Sequence, residues 1–327
     1  MKNPAPPVVW LHLHLGCVLP GAVLLLAMLL MACAHGSAQA KDGPPAHRRE
    51  VRVRTRAGHV LAGTLTMPSG TARGMVAVYV SGAGPQARDY STIVDVDNHA
   101  FASIEHALLV EGIGGFRYDE VGMGASTGAY RPYATTTTLA DDLVDVLRVL
   151  ESGAVVDARD VVLIGHSEGA HIAALAAARA ERVRGLVLLA APAVPGNHVM
   201  RDQWRTFAAI RKEPSDVQQF IHRERIRSEP WYREFLVLDP AAAYTRVSVP
   251  VLLLQGERDH SVPSWHADSV AALLHAGGNR NVTMVRLPEL GHAFVPEPDP
   301  WAPIDGEVIT RVTRWTSRLL RPGSRDR

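Results

Sequence analysis

Short runs of consecutive apolar residues recur through the middle and the end of the chain. They occupy residues 75–80, 113–118, 161–164, 186–190, 251–254 and 282–287. An apolar run without polar alternation is typical of a strand that is buried on both faces. The pattern therefore predicts six interior strands.

Upstream of these runs the pattern alternates instead. Val51 and Val53 alternate with arginines, and residues 61–67 alternate again after the turn residues Ala57 and Gly58. Alternation with a period of two predicts an antiparallel hairpin with one solvent-facing side. We place this hairpin at the N-terminal edge of the sheet.

Helical patterns lie between the apolar runs. One carries Phe101, Ile104 and Leu108 and ends at Gly112, and another covers residues 139–150 after a threonine-rich cap region. Parallel neighbouring strands need crossover connections of this length. The alternation predicts an α/β fold with a mostly parallel central sheet and helices on both faces.

One segment, residues 195–250, is too long for a single crossover helix. It divides into helical fragments at Pro214, Pro230 and Pro240 and holds a large share of the chain's aromatic residues. This composition predicts a short helical cap insertion. We expect some of its aromatic side chains to line an apolar pocket.

The N-terminus resembles a secretory signal peptide. Lys2 precedes a long apolar stretch, residues 18–34, and Ala38-Gln39-Ala40 is a small-x-small cleavage pattern. We expect residues 1–40 to be a signal peptide and residues 41–327 to be the exported domain, periplasmic or secreted. Two alternatives stay open: lipidation and membrane attachment at Cys33, or retention of the apolar stretch as an anchor.

Composition narrows the classes of partner. The chain has 327 residues, 47% of them hydrophobic and 20% charged, with a formal net charge of +1, which fits a globular domain. Nucleic-acid binding needs a concentrated basic face, and the sequence has none. Both cysteines, Cys17 and Cys33, lie in the leader, so the exported domain is expected to lack disulfides and thiolate metal sites.

The strongest chemical signal surrounds Ser167. Residues 161–164 run into Gly165-His166-Ser167-Glu168-Gly169, a G-x-S-x-G pattern that leads into an alanine-rich helix. A serine on such a strand-to-helix turn is exposed at the sheet edge, and small residues two positions away avoid collisions with neighbouring backbone. We predict Ser167 as a nucleophile.

A serine hydroxyl needs a histidine base and an acid that orients it. Asp259 follows the apolar run at residues 251–254, with Glu257 as the weaker alternative, and His292 follows the last run. Each stands in a loop after a strand, in the order serine, acid, histidine. That position separates His292 from the chain's other histidines.

Acyl transfer also needs two fixed backbone N–H groups for the developing oxyanion. Glu168, at the start of the helix, supplies one of them in this type of turn. A small-residue loop, residues 81–85, follows the run at residues 75–80, and we assign the second donor to Ala83 within it.

Two rival motifs fail on their context. Gly122-Met123-Gly124 resembles a dinucleotide loop, but Pro132 stops the helix that should receive the pyrophosphate. His166 and His171 are five residues apart, which is off the helical spacing of a metal pair. The sequence implies no organic cofactor and no metal.

Several segments together resemble one branch of the α/β-hydrolases, the bacterial carboxylesterases similar to serine aminopeptidases and dienelactone hydrolases. The resemblance covers residues 51–320 and rests on Ser81-Gly82-Ala83-Gly84-Pro85-Gln86-Ala87-Arg88-Asp89, Phe116-Arg117-Tyr118-Asp119, the serine turn, Gly256-Glu257-Arg258-Asp259, Ala276-Gly277-Gly278-Asn279 and Leu290-Gly291-His292. It implies the α/β-hydrolase fold and esterase activity, with Ser167, Asp259 and His292 in the positions of the family triad. Glu120-Val121 departs from the Asp-Arg pair usual at this position.

The resulting hypothesis is hydrolysis of a small-molecule carboxylic ester through an acyl-enzyme. A peptidase on the same triad is the nearest alternative, with cap acids such as Glu213, Glu224, Glu229 and Glu234 available to hold a substrate amine. A non-catalytic, exported ligand-binding protein is the alternative from another class.

Overall fold

A computed structural model describes residues 46–70, 72–88, 100–153, 155–156, 160–211, 215–296 and 302–320, with the backbone alone for residues 204–211 and 215–221. The chain divides into two units, Met1–Gly43 and Pro44–Arg327, and all described residues belong to the second. The predicted signal peptide and Cys33 lie outside the described residues.

Eight strands form one sheet in the order β1-β2-β4-β3-β5-β6-β7-β8. Their bounds are β1 Ala46–Arg54, β2 Val60–Pro68, β3 Met75–Val80, β4 Gly114–Tyr118, β5 Asp160–His166, β6 Val183–Leu189, β7 Val251–Gly256 and β8 Val282–Leu287. The pairs β1–β2 and β2–β4 are antiparallel, and every other pair is parallel. The predicted α/β fold with a mostly parallel sheet is confirmed.

Ten helices connect or cover the strands in the described residues. They are α1 Ala100–Val110, α2 Tyr130–Tyr133, α3 Thr136–Glu151, α4 Glu168–Ala177, α5 Gly196–Arg211, α6 Ser215–Ser228, α7 Pro230–Val237, α8 Ala241–Tyr244, α9 Trp265–Ala276 and α10 Gly306–Leu319. In α3 the predicted cap region is a capping box, in which Thr135 and Thr138 bond each other's backbone N–H groups. None of these helices is long and apolar enough to cross a membrane.

Two apolar clusters hold the layers together, one on each face of the sheet. One contains side chains of α3, α4, α8 and α9, and the other contains side chains of α1 and α10. The four residues Val161, Val162, Leu163 and Ile164 of β5 are fully buried between them. Each such side chain contributes about 1.5–3 kcal/mol relative to exposure, which explains why the apolar runs become central strands.

The strand register gathers the carboxyl ends of the parallel strands at one edge. Val80 of β3 pairs with Gly165 of β5, and His166 pairs with Leu189 of β6. Leu189 pairs in turn with Leu254 of β7, and Gly256 pairs with Leu287 of β8. The loops that leave these strands therefore lie side by side.

Two expectations about burial are wrong. The run at residues 282–287 is not buried on both faces, because β8 is the last strand of the sheet and Met284 is 39% exposed. The hairpin is not solvent-facing along one side of both strands. Only β1 is an edge strand, whereas β2 lies between β1 and β4 and buries adjacent residues such as Leu61 and Ala62.

Between β6 and β7 the chain forms α5 to α8, the segment predicted as a cap. Pro230 occupies the first turn of α7, where its missing N–H costs nothing, and Pro240 precedes α8. Tyr244 is fully buried, and its hydroxyl donates to the Pro192 carbonyl at 3.1 Å. Tyr244 thus holds the segment to the sheet layer and is not free to line a pocket.

Candidate active site

Ser167 occupies the turn between β5 and α4. Its φ of 54° lies in the left-handed region, which is strained for a residue with a side chain. Its backbone N–H donates to the Leu189 carbonyl at 2.8 Å, and its carbonyl accepts from Ala170 at 3.0 Å. The turn therefore holds Ser167 at the carboxyl edge of the sheet, where its side chain stays partly exposed.

The two glycines of the turn are required by close backbone contacts. A Cβ at Gly165 would collide with the backbone of Gly169 and Ala170. A Cβ at Gly169 would collide with the carbonyl oxygens of Val80 and Ser81. The start of α4 thus lies directly against the end of β3.

Asp259 and His292 form a hydrogen-bonded pair. The Nδ1 atom of His292 lies 2.8 Å from Oδ2 of Asp259. The loops that carry them are joined through their backbones, since Glu257 and Arg258 donate to the carbonyls of Leu287 and Leu290. Asp259 is buried, whereas Glu257, the weaker candidate for the acid, is exposed.

The surroundings of Asp259 favour its charged form. The backbone N–H groups of Ser261 and Val262 donate to Oδ1 at 2.8 and 2.7 Å, and the Gln255 amide donates to Oδ2 at 3.2 Å. Burial works to raise the pKa of Asp259, but His292 and these hydrogen bonds outweigh it and hold the pKa below its ordinary value. The carboxylate can therefore orient and stabilise a charged imidazole.

His292 sits in a tight turn after β8. The N–H of Phe294 donates to the Gly291 carbonyl at 3.1 Å, and Phe294 has a φ of 58°. Backbone strain of this kind persists only where the surrounding structure fixes it. The turn therefore presents the imidazole in a defined direction.

His166, the residue before the candidate nucleophile, contacts the same turn. Its Nε2 donates to the backbone carbonyl of His292 at 2.9 Å, and the two rings lie 4.7 Å apart. Burial, followed by the neighbouring His292, lowers the pKa of His166 to about 3, so its ring is neutral at physiological pH. His166 links the serine turn to the histidine turn.

The structure thus brings Asp259 and His292 into direct contact and places Ser167 next to a residue that binds the His292 turn. Within the described part of the chain, the hydroxyl of Ser167 forms no hydrogen bond with His292. Such contacts are often long or misaligned without substrate and tighten in the reacting complex.

The two predicted oxyanion donors lie on adjoining segments. Glu168 is the first residue of α4, where backbone N–H groups have no partner within the helix. Ala83 lies in the loop after β3, three residues beyond Val80, and is exposed. Because Gly169 packs on Val80 and Ser81, this loop and the start of α4 border the same edge.

Acidic side chains after β4 support the Ala83 loop. The carboxylate of Glu120 accepts the Gln86 N–H at 3.0 Å, and the Glu120 N–H donates to the Gln86 carbonyl at 3.1 Å. Asp119 accepts the Arg88 N–H at 2.8 Å. Glu120, which departs from the pattern of the resembling branch, therefore serves as a support for this loop.

The cap acids are engaged with neighbours. Glu224 pairs with Arg227 at 3.0 Å, and Glu229 pairs with Arg225 at 3.1 Å. Glu234 accepts the backbone N–H of Thr137 at 2.9 Å. The side chain of Glu213 lies outside the described residues.

Other histidines and metal-binding groups have different surroundings. His266 is buried in α9, and its Nδ1 accepts the Ala193 N–H at 2.9 Å, whereas His260 and His275 are exposed. Among the described residues, no group of three or more His, Cys, Asp or Glu side chains could hold a metal ion.

Sequence reasoning missed the residues that connect the parts of the site. The sequence pattern gives no role to His166 beyond a rejected metal pair, and it gives none to Gln255, which is fully buried and bonded to Asp259. Arg88 and Asp119 appear in the resembling segments, but nothing in their spacing indicates that they bind each other. For Arg88, its position three residues after the glycine-rich loop is a signal in the sequence.

An open, mostly parallel sheet with a strained serine turn after a central strand defines a hydrolase of the α/β type. The chain belongs to the alpha/beta hydrolase family, whose sequence model matches residues 77–304. This match confirms the resemblance to α/β-hydrolases that the sequence motifs predict.

One relative is Esterase EstD of Thermotoga maritima, which is 26% identical over 280 residues. The alignment covers 78% of this chain and 65% of the relative, so the chain spans just under two thirds of that protein's length. The esterase name of that protein agrees with the carboxylesterase branch that the motifs resemble.

Solved structures share the fold. An esterase of Pyrococcus furiosus, Pf2001, superposes with a TM-score of 0.63 at 17% identity, covering 88% of this chain and 100% of that one. Est1E of Butyrivibrio proteoclasticus, solved with ferulic acid, has a TM-score of 0.59 at 15% identity, covering 83% and 99%. An esterase of Exiguobacterium antarcticum has a TM-score of 0.56 at 18% identity, covering 84% and 100%.

Proposed function

We propose that this hydrolase cleaves carboxylic esters through an acyl-enzyme formed on Ser167. The observation that carries the proposal is the 2.8 Å contact between His292 and a buried, ionised Asp259, in a turn that His166 ties to the candidate nucleophile. The esterase name of the Thermotoga maritima relative supports the same reaction class.

In the proposed first step, Oγ of Ser167 attacks the ester carbonyl carbon, and Nε2 of His292 accepts the hydroxyl proton. The imidazolium then gives this proton to the departing alcohol oxygen as the C–O bond breaks, which leaves the acyl group on Ser167. Water, deprotonated by the same imidazole, attacks the acyl carbon and releases the acid. Ser167 regains its proton from His292.

Asp259 acts through His292. Its carboxylate accepts a hydrogen bond from Nδ1–H of His292. This bond leaves Nε2 free to accept the serine proton and stabilises the imidazolium that forms. The backbone N–H groups of Glu168 and Ala83 are the proposed donors to the oxyanion. Each such donor typically contributes about 10²–10³ in turnover.

The described cap acids bear on the choice between ester hydrolysis and an aminopeptidase reaction. An aminopeptidase needs a carboxylate that is free to bind the substrate's amine, and Glu224, Glu229 and Glu234 are each held by an arginine or by backbone. The peptidase alternative therefore gains no support from the described cap residues.

The test is Ser167→Ala assayed on short p-nitrophenyl esters. Loss of a serine nucleophile should lower kcat by about 10⁴–10⁶-fold. Ser228→Ala is the matched control, because the Ser228 hydroxyl bonds only the Glu224 carbonyl on an exposed helix face. Wild-type turnover by the Ser167→Ala variant would overturn the proposal.

A labelling experiment separates catalysis from ligand binding. A fluorophosphonate should attach to Ser167 of the wild-type protein and not to the Ser167→Ala variant. Turnover of aminoacyl anilides well above that of esters, by the same preparation, would favour the peptidase instead.

We also propose that the domain is exported. The support is the sequence of residues 1–40, and the intact mass of the protein recovered from the cell envelope is the test. Cleavage after Ala40 gives a chain that begins at Lys41, whereas lipidation gives a chain that begins with a diacylated Cys33.

A further inference from the structure

Glu168 has a buried side chain that the proposed mechanism does not use. Its backbone N–H is the proposed oxyanion donor, but its carboxylate contacts the cap, where the indole Nε1 of Trp231 donates to both oxygens at 2.8 and 2.9 Å. The hydroxyl of Thr136, at the start of α3, donates to the same carboxylate. Glu168 is only 3% exposed.

A second hydrogen bond connects the cap helix α7 to the start of α3. Glu234, one turn beyond Trp231, accepts the N–H of Thr137 at 2.9 Å. A carboxylate at the N-terminus of a helix satisfies a backbone donor that has no partner within the helix. Two acids therefore join α7 to the first turns of α3 and α4.

Trp231 is the centre of an aromatic group on α7. Its ring stacks on Phe235 with centroids 5.2 Å apart, and Phe235 packs against Gly196 so closely that no Cβ would fit there. The guanidinium carbon of Arg225 on α6 lies 5.4 Å from the centre of the Trp231 ring. The position of Trp231 is therefore coupled to α5, α6 and α7 together.

We infer that Glu168 is a positioning residue, whose carboxylate fixes Trp231 and the cap helix α7 at the residue that follows Ser167, so that this contact sets which acyl chains the site accepts. The inference rests on the proposed ester hydrolysis and adds a determinant of substrate selectivity to it. One residue thereby serves the oxyanion through its backbone and the substrate pocket through its side chain.

Ionisable groups on several neighbouring elements interact with Glu168. Glu234 on α7, Glu120 after β4 and Tyr130 on α2 all interact with it. Burial raises the pKa of Glu168 to about 7, against the hydrogen bonds from Thr136 and Trp231, which lower it. The contact with Trp231 is strongest when the carboxylate is ionised, above that pH.

The first test compares kcat/KM for a p-nitrophenyl octanoate with that for the acetate. Trp231→Phe keeps an aromatic ring but removes the donor, and should change the octanoate-to-acetate ratio by about 3- to 10-fold. The ratio is independent of how much of the protein is folded. Trp265→Phe, a matched change at a 42% exposed tryptophan on α9, should leave it unchanged.

A conservative series at Glu168 separates positioning from folding. Glu168→Gln keeps one acceptor for Trp231, so its ratio should lie between those of the wild-type protein and Glu168→Ala. Glu224→Gln, at an exposed acid of the same cap, is the control. Unchanged ratios in both Trp231→Phe and Glu168→Gln would overturn the inference.

The second test needs no catalysis. The intrinsic tryptophan fluorescence of the unliganded protein should change with a midpoint near pH 7 in the wild-type and Trp265→Phe proteins, and this change should be absent in Trp231→Phe and Glu168→Gln. A transition that persists in Trp231→Phe would overturn the inference. If the wild-type protein cleaves no ester but shows this titration, the proposed function fails while the Glu168–Trp231 contact stands.

Discussion

The guanidinium of Arg88 donates to both carboxylate oxygens of Asp119, at 3.1 Å from Nε and 2.7 Å from Nη2. This bidentate pair, together with Glu50 and Thr64 on β1 and β2, holds residue 88 of the segment that carries Ala83. Two hydrogen bonds between the same pair of groups fix their relative orientation as well as their distance. The pair therefore fixes the direction of the chain at Arg88.

Loss of the bidentate contact between Arg88 and Asp119 should lower kcat more than it changes KM. Arg88→Lys keeps the charge but loses the bidentate contact, so we expect kcat on a short ester to fall about 10- to 100-fold with little change in KM. Arg179→Lys, at an exposed pair with Asp141, is the control and should be neutral. A kcat within twofold of wild type for Arg88→Lys would show that the loop needs no such support.

The choice between two neighbouring acids can be tested directly. Asp259→Asn should lower kcat by about 10²–10⁴-fold, because an amide cannot hold the required imidazole tautomer or stabilise the imidazolium. Glu257→Gln changes an exposed side chain and should retain activity. The reverse result in ester assays would assign the acid to Glu257.

The glycine at the start of α4 should not tolerate a methyl group. Gly169→Ala places a Cβ against the carbonyls of Val80 and Ser81, so we expect a loss of about 1–3 kcal/mol in the free energy of unfolding, and lower esterase activity. Thermal denaturation measures the first effect. Gly70→Ala, where a Cβ meets open space, should leave Tm unchanged, and equal Tm values for the two variants would contradict the packing argument.

A buried histidine should make stability depend on pH. Burial lowers the pKa of His171 in α4 from 6.5 to about 4, and its Nε2 has no hydrogen-bond partner in the described structure. The unfolded chain binds a proton near pH 6.5, but the folded chain binds it only near pH 4. The contribution of His171 to stability is therefore lost as the pH falls between these values.

His171→Phe removes this titration. The free energies of unfolding of the two proteins can be measured by urea denaturation from pH 7 to pH 4. As the pH falls, the wild-type protein should lose stability relative to the variant by up to ~1.4 kcal/mol per pH unit. Glu168, whose pKa is raised, gives the opposite slope in both proteins and cancels in the difference. Parallel curves would refute the assignment of a neutral His171.

The strands were predictable because a strand that is buried on both faces is a run of consecutive apolar residues. The apolar run at residues 75–80 coincides with β3, and Asp259 and His292 could be picked because each follows such a run. Residues 282–287 were predicted as a buried strand from the same kind of run, yet they form an edge strand. Local composition does not record how many neighbours a strand has in the sheet.

The supports of the site were not predictable for a different reason. Arg88 and Asp119 are 31 residues apart, and Glu168 and Trp231 are 63 residues apart. Arginine, acid and tryptophan occur widely on protein surfaces, so their types alone do not select these pairs. Only the fold, which brings the end of β4 to the segment after β3 and α7 to the start of α4, places these residues together.

The bond from the His166 ring to the carbonyl of His292 joins two distant parts of the chain. It links the backbone beside the proposed nucleophile to the backbone that carries the proposed base, across 126 residues of sequence. Both residues lie outside α5 to α8, since His166 ends β5 and His292 follows β8. A rearrangement of the cap helices therefore need not break this bond.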